Sequence, residues 1–161
     1  MSQEQEHLIW SSNPSHLIGF TSYLIYTIVL IGLLITSLLM ENINYTIIAS
    51  IPAVLIIWNF LVIKNVFYKL TTQRIKLSNG VLNKKMEELE LYRVKDYKME
   101  KPFLLRFLSL SNIAIETSDR SNPIVIFKAV KNGEDIMEKI RNHVEKCKKA
   151  RGIREVDVYA Q

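Results

Sequence analysis

A chain of 161 residues, 48% hydrophobic and carrying 21 Lys and Arg against 16 Asp and Glu, describes one modest domain with room for an appendage. A single cysteine, Cys147, excludes an internal disulfide framework and a cysteine-held zinc site, and His7, His16 and His143 share no metal-ligand spacing. The net charge of +5 is unevenly spread: residues 1–63 carry −3 and residues 64–161 carry +8.

Residues 1–16 are expected to form a polar segment on the cytoplasmic side of a membrane. Trp10 would lie at headgroup level and Pro14 in a turn before the first helix. The segment holds Glu4 and Glu6 and neither Lys nor Arg, so a cleaved leader is not expected. Residues 17–40 and 42–63 contain no charged side chain. Each run exceeds the roughly 20 residues needed to cross about 30 Å of hydrocarbon. With only "ENINY" between them, they read as a transmembrane helical hairpin over residues 17–63. Asn59 is its conspicuous polar residue, expensive in lipid and expected to bond within the hairpin or across an oligomer. Every Lys and Arg follows residue 63, and Lys64, Lys69, Arg74 and Lys76 come directly after the second run. Basic flanks stay in the cytoplasm, so both termini are expected inside and "ENINY" outside.

Beyond Lys64 the pattern breaks into short alternating pieces. "VFYKLTTQ" reads as a strand. "RIKLS" and "VLNKKMEEL" flank Asn79-Gly80, a strong hairpin signal. In "ELELYRVKD" the alternation of Leu89 and Leu91 with Glu88 and Glu90 breaks at Tyr92. That switch is read as a corner letting the sheet curl, with Arg93 paired to Asp96 across a bulge and Tyr92 turned into the core. "KPFLLRFL" is expected to make a short helical turn. "SNIAIETS" and "PIVIFKAV" are strands joined by a turn that Asp119 and Arg120 would pin. "NGEDIMEKIRNHVEKCKKARG" is an amphipathic helix with Ile136, Ile140, Val144 and Cys147 on one face. Its acids lie in the first turn, its bases in the last, and Gly152 follows as a stop. Cys147 is read as a small buried apolar group. Residues 153–161 are read as a tail, or a strand lent to a neighbour. Together these pieces give an α+β chain: a helical hairpin, then six or seven antiparallel strands over residues 64–152, closed by a C-terminal helix.

Several blocks, "EHLIWSSNPSHLIGFTSYL", "YKLTTQRIKLSNGVL", "ELELYRVKDYKMEKPFLLRFLSLSNIAIETSDRSNPIVIFKAV" and "RGIREVD", resemble small bacterial membrane proteins that carry a bacterial pleckstrin-homology (PH) domain. The resemblance implies a strongly bent seven-stranded sheet capped by a C-terminal helix. It also implies a place in the bacterial inner membrane, as an anchored scaffold or oligomer. The sequence departs from that pattern at Ser109 and Ser111, where family members often carry glycine.

No catalytic constellation stands out. Phosphate loop, nucleophile elbow and metal-spaced histidines are all lacking in the sequence, and Glu134-Asp135 is explained by a helix start. Neither enzymatic activity nor a cofactor is expected. The chemistry rests on the cations Lys84, Lys85, Arg93, Lys95, Arg106, Arg120 and Lys128, which a small bent sheet could gather around an anion. The expected function is a non-enzymatic inner-membrane protein whose basic domain oligomerises and binds anionic lipid or protein partners. The alternative is a ligand-gated membrane effector sensing an anionic signal, such as a cyclic oligonucleotide in antiviral defence. Nucleic acid is an unfavoured partner, since a basic domain attracts any polyanion but no base-stacking platform is visible.

Overall fold

The structure is a computed structural model that describes residues 5–152. The expectation for residues 153–161 lies outside that range. Seven strands form two antiparallel sheets. β1 (Leu8–Ser12), β2 (Phe67–Thr71), β3 (Arg74–Asn79) and β4 (Lys85–Glu90) make the first, in that order. The second is β5 (Val94–Glu100), β6 (Leu110–Thr117) and β7 (Ile124–Lys131). Between β1 and β2 stand two long helices, α1 (Phe20–Met40) and α2 (Ile43–Lys64). A short helix, α3 (Phe103–Phe107), joins β5 to β6, and α4 (Gly133–Ala150) follows β7.

Strand alternation places the core. β6 sends Ile113 and Ile115 inward and β7 sends Val125 and Phe127 inward, all buried. Leu70, Ile75 and Leu89 come from the first sheet to meet them. Along α4, Ile136, Ile140 and Val144 are buried, and the half-buried Cys147 completes their stripe. Its thiol donates to the Thr72 carbonyl at 3.3 Å, so Cys147 is less enclosed than a wholly apolar reading requires.

The break in "ELELYRVKD" is a single 3-10 turn, Leu91–Arg93, which carries the chain from the first sheet to the second. With about three residues per turn, Leu91 and Val94 share one side, and both are buried. The corner reading was right in kind, and a bulge does follow between Val94 and Asp96. Its details differ from expectation. Tyr92 is only half-buried, with the Arg151 guanidinium over its ring at 3.8 Å. Arg93 reaches Asp119 at 3.3 Å and Glu90 at 3.6 Å, not Asp96. Asp119 in turn holds its loop by accepting the Ser121 amide at 3.0 Å, rather than by pairing with Arg120. A side chain at a 3-10 corner projects away from the line of the strand, which is why the local pairing failed.

The other difference is at the beginning. Leu8–Ser12 is not a free segment but the edge strand β1, antiparallel to β2. Trp10 therefore lies over Phe127, ring centroids 5.8 Å apart, instead of at a headgroup level. The expected Asn79-Gly80 turn is a five-residue loop, 80–84, whose Gly80 has φ +110°. A Cβ there would meet the Asn83 carbonyl oxygen, so only glycine fits.

Candidate functional site

The long helices return on themselves through a tight link. Glu41 takes a left-handed conformation, φ 48°, after α1, and Asn42 caps α2 by accepting the Asn44 amide at 3.0 Å. The Ser37 and Thr46 hydroxyls bond across the pair. Both helices, His16–Met40 with its preceding turn and Ile43–Lys64, are long and apolar enough to cross a membrane. Most of their large apolar side chains are exposed in the isolated chain.

Where this hairpin meets the sheets, the chain's outgoing and returning segments are tied together. The Asn13 carboxamide donates to the Lys64 carbonyl at 3.2 Å and to the Val66 carbonyl at 3.0 Å. The Ser15 amide donates to the Ala129 carbonyl of β7 at 3.1 Å. His16 stacks on Phe60 at 4.5 Å, planes 7° apart. Gly19 lets the helices close here, because a Cβ would lie 2.8 Å from Ile63 Cδ1. β7 bends to meet this root: Ala129 has φ 46°, its amide donates to Asn112 Oδ1 at 2.8 Å, and the Lys128 amide donates to the Tyr68 hydroxyl at 3.2 Å. Burial pushes the Tyr68 phenol above its ordinary range.

The seven candidate cations do not gather. Lys84 and Lys85 sit at the β3–β4 loop and Arg106 on α3, on the strand ends nearest the root. Arg93 and Arg120 lie at the opposite end, where the Ser118 amide donates to the Arg93 carbonyl. Lys95 is exposed at the β5 bulge, in a cleft with Arg141 and Lys148, and Lys128 is on the outer face of edge strand β7. Arg93 is already engaged: the Tyr92 hydroxyl, accepting from its Nε, is the main cause of its raised pKa, with the Asp119 and Glu90 carboxylates acting in the same direction. The surrounding hollow of about 280 Å³ mixes Arg74 and Arg93 with Glu88, Glu90 and Asp119, an ion-pair network with an excess of carboxylate rather than an anion site. Glu6 belongs to the same surface. Thr71 Oγ1 donates to it at 2.7 Å and Lys76 stands 3.4 Å away, holding its carboxyl below the ordinary range.

A larger cleft, about 440 Å³, opens between Tyr92, His143, Cys147 and Arg151 at the end of α4. A smaller one, about 260 Å³, lies between Lys101, Arg106, Ser111 and the start of α4. There Lys101 pairs with Glu134 at 2.6 Å and holds that carboxyl low. Asn59 is half-buried on α2, and its carboxamide makes no hydrogen bond among the described residues, so the bond within its own hairpin is not formed. Asn13, Ser15 and Trp10 were missed as a group. The only sequence signal for them was the short apolar stretch "LIW" ahead of the turn.

A family model for the bacterial PH domain matches residues 17–144, taking in the hairpin, β2 to β7 and most of α4. The chain belongs to the bacterial PH domain family. Among solved structures, it is similar to a DUF1696 family protein with a pleckstrin-homology domain from Shewanella loihica PV-4, at 14% identity and a TM-score of 0.39, over 52% of this chain and 71% of that one. No curated protein matches it. The PH domain here is thus four strands, three strands and a closing helix, with an apolar hairpin inserted between its first two strands.

Proposed function

We propose that this PH-domain protein is a two-pass protein of the bacterial cytoplasmic membrane. In this reading its hairpin holds a non-enzymatic domain against the inner face, where it self-associates and engages anionic lipid or protein partners. The supporting observation is the placement of the hairpin inside the domain's own sheet. β1 precedes the hairpin, β2 follows it, and the two are hydrogen-bonded neighbours. Both ends of the hairpin therefore lie on one side of any bilayer it crosses, and Lys64, Lys69, Arg74 and Lys76, close behind its second helix, support the cytoplasmic side for both. With the root clamped by Asn13 and Ser15, the domain cannot swing as on a flexible tether.

Labelling with an impermeant maleimide tests this, using full-length protein with Cys147→Ser as background. Glu41→Cys should react in intact cells, whereas Ser121→Cys should react only in inverted membrane vesicles. Labelling of Ser121→Cys from outside intact cells would sink the reading. The ligand-gated alternative has less support, because the cations it needs are divided between the two ends of the domain and Arg93 is already ion-paired.

A further inference from the structure

The domain carries a large exposed apolar surface outside the hairpin. Phe103 is 74% exposed and Phe107 75%, Leu104 and Leu108 beside them are more than half exposed, and Leu82 on the β3–β4 loop is 87% exposed. Phe103 and Phe107 are one turn apart on α3, their rings meeting edge to face at 4.9 Å. A soluble domain rarely leaves such a cluster uncovered without a partner.

Register fixes where these residues lie. Ser15, at the start of the hairpin, bonds to Ala129, and two residues further along β7 Lys131 pairs with Leu110, which follows α3 directly. In the other sheet Phe67, three residues after α2 ends, pairs with Ser78, and the next rung, Asn79 with Lys85, closes the loop that carries Leu82. At about 3.3 Å per residue, both apolar elements are within a few strand residues of the hairpin root, one in each sheet. The cations beside them are Arg106 on α3, Lys84 on the loop and Lys85 at the start of β4, all exposed and without an ion-pair partner among the described residues. Lys101 is spent on Glu134.

We propose that Phe103, Leu104, Phe107 and Leu108, together with Leu82, dip into the headgroup–acyl boundary of the bilayer that holds the hairpin, with Arg106, Lys84 and Lys85 among anionic headgroups. The inference rests on the reading that the hairpin spans. A bilayer is the fitting occupant because both apolar elements lie within a few strand residues of the root of the apolar hairpin. Apolar side chains interleaved with cations also match an anionic membrane surface. The domain is thereby seated on the membrane at two further points besides its anchor.

The test uses the full chain with Cys147→Ser in vesicles of phosphatidylcholine and phosphatidylglycerol, with an environment-sensitive fluorophore on single cysteines. Phe107→Cys and Leu82→Cys, both at exposed sites that the fold does not depend on, should emit blue-shifted light. Lipid brominated near the headgroup should quench them at least twofold more than lipid brominated near the chain end. Leu34→Cys, some two-thirds of the way along α1, should show the reverse order, and Ser121→Cys should stay red-shifted and unquenched. If Leu34→Cys is quenched while Phe107→Cys and Leu82→Cys resemble Ser121→Cys, the docking surface is overturned and the spanning hairpin stands. Labels that are blue-shifted but not quenched by brominated lipid would assign the face to a second copy of the chain and likewise overturn it. Failure of Leu34→Cys to be quenched would remove the hairpin reading and this inference with it.

Discussion

Ser109 holds a left-handed backbone, φ 54°, immediately before β6. An L-residue in that conformation costs roughly 1–2 kcal/mol, which glycine avoids at the price of a more flexible unfolded chain. Ser109 is exposed and its side chain is not needed to fill space. Ser109→Gly is therefore expected to stabilise the domain by about 0.5–1 kcal/mol, and Ser109→Val to destabilise it by more than that. Thermal melts of the detergent-solubilised chain would check the sign of each. Ser111 is a different case. It is 1% exposed, and its Oγ lies where a Gly133 Cβ would fall. Gly133→Ala should thus cost more than the usual helix-favouring gain can offset. The family resemblance singled out both serines, but only the backbone angle and the contact with Gly133 separate a strained turn from a tightly packed one.

At the scale of elements, the legible parts are those whose signal is local. The alternation of Ile113 and Ile115 with polar neighbours, the four-residue spacing along α4, and the two uncharged runs each declare an element without reference to anything distant. β1 was hidden because it is five residues long and finds β2 across the whole hairpin, so no turn motif announces the pairing. Its contribution is nonetheless large. β1 covers one edge of the first sheet, and Trp10 and Ile9 cover part of the core beside Phe127. Trp10→Ala is expected to cost about 2 kcal/mol, below the roughly 3–5 kcal/mol of a fully buried aromatic because the ring is half-exposed. A fragment beginning at residue 64 lacks the whole strand and leaves the β2 edge open to other chains. Such a fragment should elute as aggregate in size-exclusion chromatography, which would count against any assay built on it. Asn59 offers a second test among elements. If the hairpin spans a bilayer as proposed, a carboxamide without a partner in its own hairpin would be best satisfied by another copy. Asn59→Leu should weaken association in membranes by about 0.6 to 2 kcal/mol, read as loss of energy transfer between differently labelled copies. Unchanged transfer would remove Asn59 from the interface.

For the whole molecule, what matters is that the apolar hairpin is not appended to the domain but threaded through it. The chain leaves the sheet after β1 and returns to β2 at nearly the same place, since Asn13 on the outgoing segment touches the carbonyls of Lys64 and Val66 on the returning one. Two consequences follow in opposite directions. Replacing residues 15–64 by a linker of four or five Gly and Ser residues requires no movement of either strand, so the two-sheet fold should survive. It should become soluble once serine replaces Leu82, Phe103, Leu104, Phe107 and Leu108, the exposed apolar side chains beside the hairpin root. If the hairpin spans as proposed, deleting residues 17–42 alone leaves a single span, which would put β1 and β2 on opposite sides of a bilayer and make their pairing impossible. That variant should lose hydrogen-exchange protection at the alternate β2 amides that point toward β1 and be degraded in cells, while the linker variant retains that protection. The reverse result, a stable single-span protein beside an unfolded linker variant, would mean that the hairpin supports the sheet through its helices rather than merely passing through its edge.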